Sequence, residues 1–190
     1  MSSEIKPAIL MTVVLTVLTG LVYPLVVTGL SGVLMPYQAN GSLVVRGDAV
    51  LGSDLIAQSF AGDGYFHPRP SAAGDKGYDP TASGGTNLGP IDQRLVDRVR
   101  DAASQLHGEN PARPVPVDLV TTSGSGLDPH VTPASAEFQV PRIAKARGLT
   151  EDAVREVVQR TTEGRQLGFL GEPRMNVLRA NLALDALAAR

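Results

Sequence analysis

The feature that most constrains this chain is the absence of any charged side chain between Lys6 and Arg46. Residues 7–35 are mostly Leu, Val, Ile, Met and Thr. A helix needs about 20 apolar residues to cross a bilayer, so this stretch can span one. A cleaved signal peptide is the alternative, but its apolar core of roughly 7–15 residues is about half as long, and residues 37–39 are a poor cleavage site. The sequence therefore predicts a retained transmembrane helix over residues 9–33.

Small residues and one proline recur at every fourth position of this segment. They are Thr12, Thr16, Gly20, Pro24, Thr28 and Gly32, and we call this set the small-residue stripe. Such spacing lets two helix backbones approach closely in a membrane, so it predicts contact with a partner helix. Thr and Gly are also common in membrane spans generally, which leaves an interpretation without a partner open. Pro24 removes one backbone hydrogen bond and predicts a bend.

Overall charge excludes one class of partner and leaves the orientation in the membrane open. The 17 basic and 19 acidic residues lack the excess of basic side chains that nucleic-acid binders show, so no nucleic-acid partner is expected. Lys6 flanks the apolar segment on one side and Arg46 on the other, so the positive-inside rule gives a tie.

The first half of the soluble part, which begins at residue 36, mixes predicted strands, turns and one helix. Residues 36–64 contain two short apolar runs, 43–45 and 55–56, separated by glycine-containing turns. Apolar residues at helical spacing predict a helix over 91–106. Alternating Val, Pro and Leu predict an edge strand over 115–120.

The second half is predicted to be mainly helical. Thr132 followed by a proline predicts a helix start, Pro141 predicts an interruption and Gly148 a helix end. Thr150 predicts the cap of the next helix, and a last helix is expected from about residue 175 to 187. The fold class is therefore α+β, with a single N-terminal transmembrane helix followed by a mixed α+β domain over residues 36–190.

Glycine-rich segments offer only weak signals for binding an anion. Residues 83–89 lack the helix-opening lysine of a phosphate-binding loop and are better explained as turns. Residues 124–130 precede a predicted helix N-terminus, where free N–H groups can hold an anion. Asp128 and Thr132 can instead satisfy those donors themselves, which we favour.

Motifs for metal binding and catalysis are not found in the sequence. His67, His107 and His130 lack a metal-ligand spacing, so we expect no metal site and interpret them as polar surface or turn residues. The sequence contains no cysteine and no nucleophile elbow around Ser125. These observations predict no catalytic residues and no activity of the chain on its own.

Several long segments occur in the order typical of one known family. They are residues 52–60, 65–72, 83–90, 121–130, 139–144 and 168–184, together with Gly29 in the apolar segment. With these segments the chain resembles the KdpC family, the single-span accessory subunits of bacterial Kdp potassium-uptake P-type ATPases. The sequence carries neither the Asp-Lys-Thr-Gly-Thr motif of the ATPase subunit nor the Thr-Val-Gly-Tyr-Gly motif of a potassium filter.

The resemblance implies a set of partners and a topology. The partners would be a KdpB-like P-type ATPase subunit, a KdpA-like channel subunit, a small KdpF-like single-span subunit and membrane lipid. The resemblance places the chain in the cell membrane, with residues 1–8 in the cytoplasm and the soluble domain outside. The stripe would face the channel-like subunit. A long irregular loop, residues 67–90, is hypothesised to cap the mouth of the potassium path.

The resemblance also implies an effect on ATP affinity. The family is described as a catalytic chaperone that raises the affinity of the ATPase subunit for ATP, and the residue proposed near the nucleotide matches Gln139. No tightly bound cofactor is expected, and ATP would be reached only through the complex. A domain outside the cell cannot touch cytoplasmic ATP, so the effect would pass through the membrane subunits as a coupling free energy. An ordinary helical role for Gln139 is the alternative, and we favour it.

A second class of function is a membrane-tethered binding module or hydrolase that acts alone. It predicts a stable soluble fragment, residues 36–190, with its own ligand or activity. The missing catalytic motifs argue against a hydrolase.

Overall fold

The computed structural model divides the chain into two compact units, Met1–Leu51 and Gly52–Arg190, and describes residues 2–188. The first unit begins with helix α1 (Ser2–Val17), a π-helical segment (Leu18–Val22) and helix α2 (Tyr23–Leu34). These follow one another without a break, and Ser3–Leu34 is the one helix in the described part of the chain that is long and apolar enough to cross a membrane. The predicted span, residues 9–33, is therefore helical throughout.

The π-helical segment lies directly before Pro24. The Tyr23 N–H donates to the Leu18 carbonyl, five residues back, in place of the usual four. Pro24 has no N–H, and its ring crowds the carbonyl four residues earlier, that of Gly20. A wider turn at this point relieves the crowding. The predicted loss of a regular backbone bond at Pro24 thus takes the form of a π segment.

A short helix and a hairpin follow the apolar helix. Helix α3 (Pro36–Ala39) is followed by strands β1 (Leu43–Arg46) and β2 (Ala49–Ser53), which form a two-stranded sheet. The strand predicted at residues 43–45 is confirmed. The strand predicted at residues 55–56 is wrong, because the Leu55 N–H turns back to the Ser53 hydroxyl at 3.1 Å and the chain leaves the sheet.

As far as it is described, the second unit contains four α-helices, a short 3-10 turn and a small sheet. The helices are α4 (Gln93–Glu109), α5 (Pro133–Arg147), α6 (Glu151–Thr161) and α7 (Val177–Ala188). Strands β3 (His130–Val131), β4 (Thr162–Glu163) and β5 (Arg174–Asn176) form an antiparallel sheet in the order β3-β5-β4. Met175 lies opposite both Val131 and Thr162, so β5 is central.

The core of this unit lies between α5, α6, α7 and the sheet. Its buried apolar side chains are Phe66, Val131, Ala136, Val140, Ile143, Ala144, Val154, Val157, Val158, Met175, Val177, Ala180 and Leu184. The predicted caps fit this packing. Thr132 and Thr150 cap α5 and α6 through their side chains, and Gly148 ends α5 in the left-handed region, with φ +65°. Both predicted helix starts and the predicted end of α5 are confirmed.

The predicted interruption at Pro141 is wrong, because α5 continues through it to Arg147. A proline inside a helix costs about 3 kcal/mol through the lost hydrogen bond and the crowded carbonyl. Val140 and Ile143, on either side of it, are fully buried. Burying each such side chain is worth about 1.5–3 kcal/mol, so packing outweighs the cost of the proline.

Two further predictions need correction. Residues 115–120 do not form an edge strand; Val117–Leu119 is a 3-10 turn that begins after Pro116. Pro114 and Pro116 cannot donate to a strand ladder, whereas the fixed φ of Pro116 suits the start of a turn. The last helix begins at Val177 instead of 175, because residues 174–176 pair in the sheet and the Asn176 side chain accepts the Arg179 N–H at 3.1 Å.

A long connection separates the hairpin from α4. From Asp54 to Asp92, all within the described residues, the chain forms neither helix nor strand. It is nevertheless packed: Phe66 and Ala73 are fully buried. The Ser71 hydroxyl donates to the Gly126 carbonyl at 2.6 Å. The long ordered loop predicted over residues 67–90 is confirmed as a structural feature.

Candidate functional site

Gln139 lies in the middle of α5 and is buried, with 3% of its surface exposed. Its Oε1 accepts the backbone N–H of His67 at 2.8 Å, and its Nε2 donates to the His67 carbonyl at 3.2 Å. Nε2 also reaches the Ser135 carbonyl at 3.3 Å, and Oε1 also accepts from Arg142 Nη2 at 2.8 Å. An amide has two donors and two acceptor lone pairs, so all four are used. Gln139 thus attaches the long loop to α5.

Asn181 does the same for the preceding residue of the loop. Its Oδ1 accepts the Phe66 N–H at 2.8 Å, and its Nδ2 donates to the Phe66 carbonyl at 3.0 Å. Asn181 lies in α7 and is 1% exposed. Two helices therefore hold consecutive residues of an irregular segment in the way a neighbouring strand would.

Arg142 extends this arrangement by one turn of α5. Its Nη1 donates to the Asp63 carbonyl at 2.6 Å and to the Tyr65 carbonyl at 3.1 Å, while its Nε lies 3.5 Å from Glu109 Oε2. Burial lowers the pKa of Arg142 from its ordinary value, and Glu109 and Asp63 oppose that shift. The guanidinium group is therefore a charged anchor for the loop.

A cavity of about 290 Å³ opens beside these residues. It is lined by Phe60, His67, Pro68, Pro70, Tyr78, Ala102, Gln105, Leu106, Glu109, Leu119, Gln139 and Arg142. Burial lowers the pKa of His67, and the charge of Arg142 adds to that shift, so the imidazole is neutral at pH 7. Ligand pockets usually measure about 300–1,000 Å³, so this cavity suits a small group. The predicted contact of Gln139 with a nucleotide stays a prediction.

The segment from Thr121 to His130 is held by Arg69. Its Nη1 forms an ion pair with Asp128 Oδ2 at 3.1 Å, and its Nη2 donates to the Thr122 carbonyl at 3.1 Å. Partial burial alone would raise the pKa of Asp128, but hydrogen bonds from His130 and the charge of Arg69 outweigh it, so the pKa lies below its ordinary value. Asp128 also accepts the His130 N–H at 3.0 Å.

Helix α5 has its own acceptors at its N-terminus. Thr132 Oγ1 accepts the Ser135 N–H at 3.2 Å, as predicted. The buried carboxylate of Asp118 accepts the Thr132 N–H at 2.8 Å and a hydrogen bond from the Ser135 hydroxyl. Of the two interpretations of residues 124–130, side-chain capping therefore describes this structure, with Asp118 as an additional acceptor that the sequence did not indicate.

The small-residue stripe follows the helix of the first unit. In a regular α-helix, residues four apart are offset by about 40°, so a long series drifts around the axis. The π segment at Leu18–Val22 holds more residues per turn and rotates the series back, so it reduces this drift. Among the described residues, and apart from the nearby backbone of the helix itself, no atom lies within 4 Å of a Cβ built on Gly20 or Gly32. Contact of the stripe with a partner helix stays a prediction.

Comparison with known proteins decides the family. A family model described as KdpC, K+-transporting ATPase, c chain, matches residues 5–186. The chain belongs to the KdpC family. The potassium-transporting ATPase KdpC subunit of Koribacter versatilis is 57% identical over 97% of this chain and 95% of its own length. The KdpC subunits of Rhodopseudomonas palustris (strain TIE-1) and Methylobacterium nodulans are 55% and 54% identical over the full length of both chains.

The KdpC segments quoted from the sequence coincide with the contacts described above. Residues 139–144 supply Gln139 and Arg142, residues 65–72 supply the loop they hold, and residues 168–184 include Asn181. The sequence identified Gln139 through the resemblance alone. It gave no reason to select Asn181 or Asp118, because their partners lie 115 and 14 or more residues away. An amide within an apolar helical face was the one signal for Asn181.

Proposed function

We propose that this chain is the accessory subunit of an ATP-driven potassium importer, anchored in the cell membrane by Ser3–Leu34. The observation that carries the proposal is the match over 95% or more of the length of KdpC subunits named for a potassium-transporting ATPase. Its partners are a KdpB-like ATPase subunit, a KdpA-like channel subunit and a small KdpF-like subunit. The apolar helix has no buried residue among those described, which supports a role in holding these membrane subunits together.

The small-residue stripe is the proposed contact with the channel-like subunit. Small residues without neighbours leave room for a second backbone. The test is a pull-down of the tagged full-length chain from mild-detergent membranes, with wild type and the double variant Gly20→Leu, Gly32→Leu. Release of the ATPase and channel subunits from the double variant is the expected result.

Thr19→Leu is the matched control, because Thr19 lies in the same apolar helix, off the stripe, and is exposed. Co-purification that survives the double variant would move the main contact to the soluble domain. If wild type captures neither subunit, a module that acts alone becomes the better description.

In the proposed topology, the N-terminus lies in the cytoplasm and the soluble domain outside. The chain has no cysteine, so single cysteines report their own location. Asp75 is exposed in the long loop, and Ser3 begins the apolar helix. A membrane-impermeant maleimide applied to intact cells should label Asp75→Cys and not Ser3→Cys. The opposite pattern would reverse the topology.

An effect on ATP affinity, in this topology, is a coupling free energy carried through the membrane subunits. Coupling of this kind is typically worth 1–3 kcal/mol, or about 5–150-fold in affinity. No contact between the chain and ATP is then required, and the hydrogen bonds of Gln139 support a positioning role. The catalytic chaperone role therefore predicts a higher KM for ATP in a complex that lacks this chain.

The long loop is proposed to cap the outer mouth of the potassium path. Its exposed side chains Asp75 and Lys76 can be changed without disturbing the buried Ala73. The double variant Asp75→Ala, Lys76→Ala should alter the potassium dependence of uptake in cells that depend on the importer. Unchanged uptake would contradict capping by this part of the loop.

A further inference from the structure

An apolar surface on the hairpin, directly after the membrane helix, has no cover within the described residues. Leu43, Val45 and Val50 expose 45%, 54% and 60% of their surfaces. Side chains alternate between the faces of a strand, so Leu43 and Val45 share a face. The two-residue turn at Gly47-Asp48 places Val50 across from Val45, on that same face. We call these three residues the hairpin face.

The hairpin is a two-stranded sheet, and such a sheet alone is only marginally stable in water. We therefore expect another surface to cover its exposed apolar face. The short segment that joins the hairpin to the membrane helix limits which surface can cover the hairpin face. Only Met35–Ser42 lies between α2 and β1, and this connection is hydrogen-bonded throughout. The Ser42 N–H donates to the Tyr37 carbonyl at 3.0 Å, and the Tyr37 hydroxyl donates to the Ser42 carbonyl at 3.1 Å.

The same connection adds two exposed residues, one apolar and one of a type enriched at membrane surfaces. Met35 and Tyr37 expose 53% and 43% of their surfaces. Tyrosine is enriched at the boundary of a bilayer, where its ring contacts acyl chains and its hydroxyl reaches polar groups. Apolar surface therefore continues from the proposed span, through this connection, to the hairpin.

We propose that the hairpin face rests on the outer surface of the bilayer, at the boundary between lipid headgroups and acyl chains. The ligand is phospholipid, and the contact continues the one made by the membrane helix. Headgroups and their water can form hydrogen bonds with the backbone N–H and C=O groups at the outer edges of the two strands, which hydrocarbon cannot do. The hairpin is then a second contact with the membrane, next to the one made by the span. This inference rests on the proposed membrane span.

The absence of tryptophan from the chain makes a direct test possible. Val50→Trp introduces a single tryptophan on the hairpin face, and selective excitation separates its emission from that of the four tyrosines. Val45→Trp is a second probe of the same face. The full-length chain is reconstituted in phosphatidylcholine–phosphatidylglycerol vesicles, with or without acyl chains brominated near the headgroup. Acrylamide serves as the aqueous quencher. Ala49→Trp, exposed on the opposite face of the hairpin, is the matched control.

The expected result is blue-shifted emission from Val50→Trp and Val45→Trp. Both should be quenched strongly by brominated lipid and severalfold less by acrylamide than Ala49→Trp. Emission from the hairpin face as accessible to acrylamide as that of Ala49→Trp would overturn the proposal. Shielding from both quenchers would also overturn it, in favour of contact with protein. Flotation of the vesicles distinguishes failure of this proposal from failure of the proposed span. A chain that floats with the vesicles but is not quenched by brominated lipid is anchored by its span and lacks only the hairpin contact.

Discussion

Gln139 and Asn181 lie on different helices and hold the backbones of adjacent residues, His67 and Phe66. Each amide both accepts from the backbone N–H and donates to the backbone carbonyl of its partner. These four hydrogen bonds give an irregular segment the partners that a strand would find in a sheet. The long loop therefore owes its conformation to side chains that lie far away in the sequence.

Replacing Asn181 with alanine should destabilise the soluble domain by about 3 kcal/mol, since a buried group left without its partner costs about 1–3 kcal/mol and Phe66 would lose two. Guanidinium unfolding of the full-length chain in mild detergent, followed by circular dichroism, measures this change. Gln93→Ala is the control, because this exposed amide donates to Asp97, a local contact within α4. Equal stability of both variants would mean that the Phe66 contact is dispensable.

The role of Gln139 can be separated from a direct effect on the nucleotide. Gln139→Ala removes two hydrogen bonds to His67, and Asn181→Ala removes two to Phe66, so the two variants should loosen the loop similarly. If Gln139 acts by position alone, both should change the KM for ATP of the assembled ATPase by the same factor. The measurement is ATP-dependent hydrolysis by the purified complex. An increase in KM confined to Gln139→Ala would instead support contact with the nucleotide.

His67 should make the stability of the domain depend on pH. Burial and Arg142 lower its pKa in the folded state below the ordinary 6.5. The unfolded chain then binds more protons than the folded chain as the pH falls below 6.5, so stability is full above that pH and declines below it. Unfolding free energies measured between pH 5 and 7.5 should show this decline in wild type and less of it in His67→Gln.

His107→Gln is the control for the pH experiment, because His107 is exposed at the end of α4. A decline that persists unchanged in His67→Gln would assign the pH dependence to another group.

Gly126 is where the segment Thr121–His130 meets the long loop. Its φ is +68°, and an added Cβ would lie 2.7 Å from the Gly84 carbonyl oxygen and 2.8 Å from the Ala73 nitrogen. Gly126→Ala should therefore cost about 1–2 kcal/mol for the left-handed backbone and about 1–3 kcal/mol more for crowding.

Gly168→Ala separates these two costs. Gly168 has φ +83°, and within the described chain no atom beyond its two chain neighbours lies within 4 Å of its added Cβ. Thermal unfolding should show a clearly larger loss for Gly126→Ala than for Gly168→Ala. Equal losses would mean that the backbone conformation accounts for the whole effect.

The parts of the fold that sequence predicted are those whose signals are local. Thr132 and Thr150 each precede an apolar helical pattern, and both cap the helices expected of them. Strands β3 and β4 have two residues each, too few to show any alternation. The interruption predicted at Pro141 was wrong because the cost of a proline inside a helix is visible in the local sequence, whereas the burial of Val140 and Ile143 that outweighs it depends on the tertiary structure.

The same distinction between local signals and long-range contacts applies to the residues of the candidate site. Gln139 was found through resemblance over a long segment, whereas its partner His67 is 72 residues away and no spacing rule joins them. The strand predicted over residues 115–120 includes Asp118, whose carboxylate instead accepts the Thr132 N–H at the start of α5. Contacts between distant segments carry no periodic signal, so the hydrogen bonds that shape the loop could be seen only in the folded chain.

The 115 residues that separate Phe66 from Asn181 have a consequence for biogenesis. Chains are made from the N-terminus, and Phe66 leaves the ribosome 115 residues before the side chain that will hold it. Gln139 is made before Asn181, so the two attachments of the loop become available in that order. A product cut short before α7 would keep Gln139 but lack Asn181, and Phe66 would be left without its two side-chain hydrogen bonds. Synthesis of α7 is thus the step that completes the attachment of the loop.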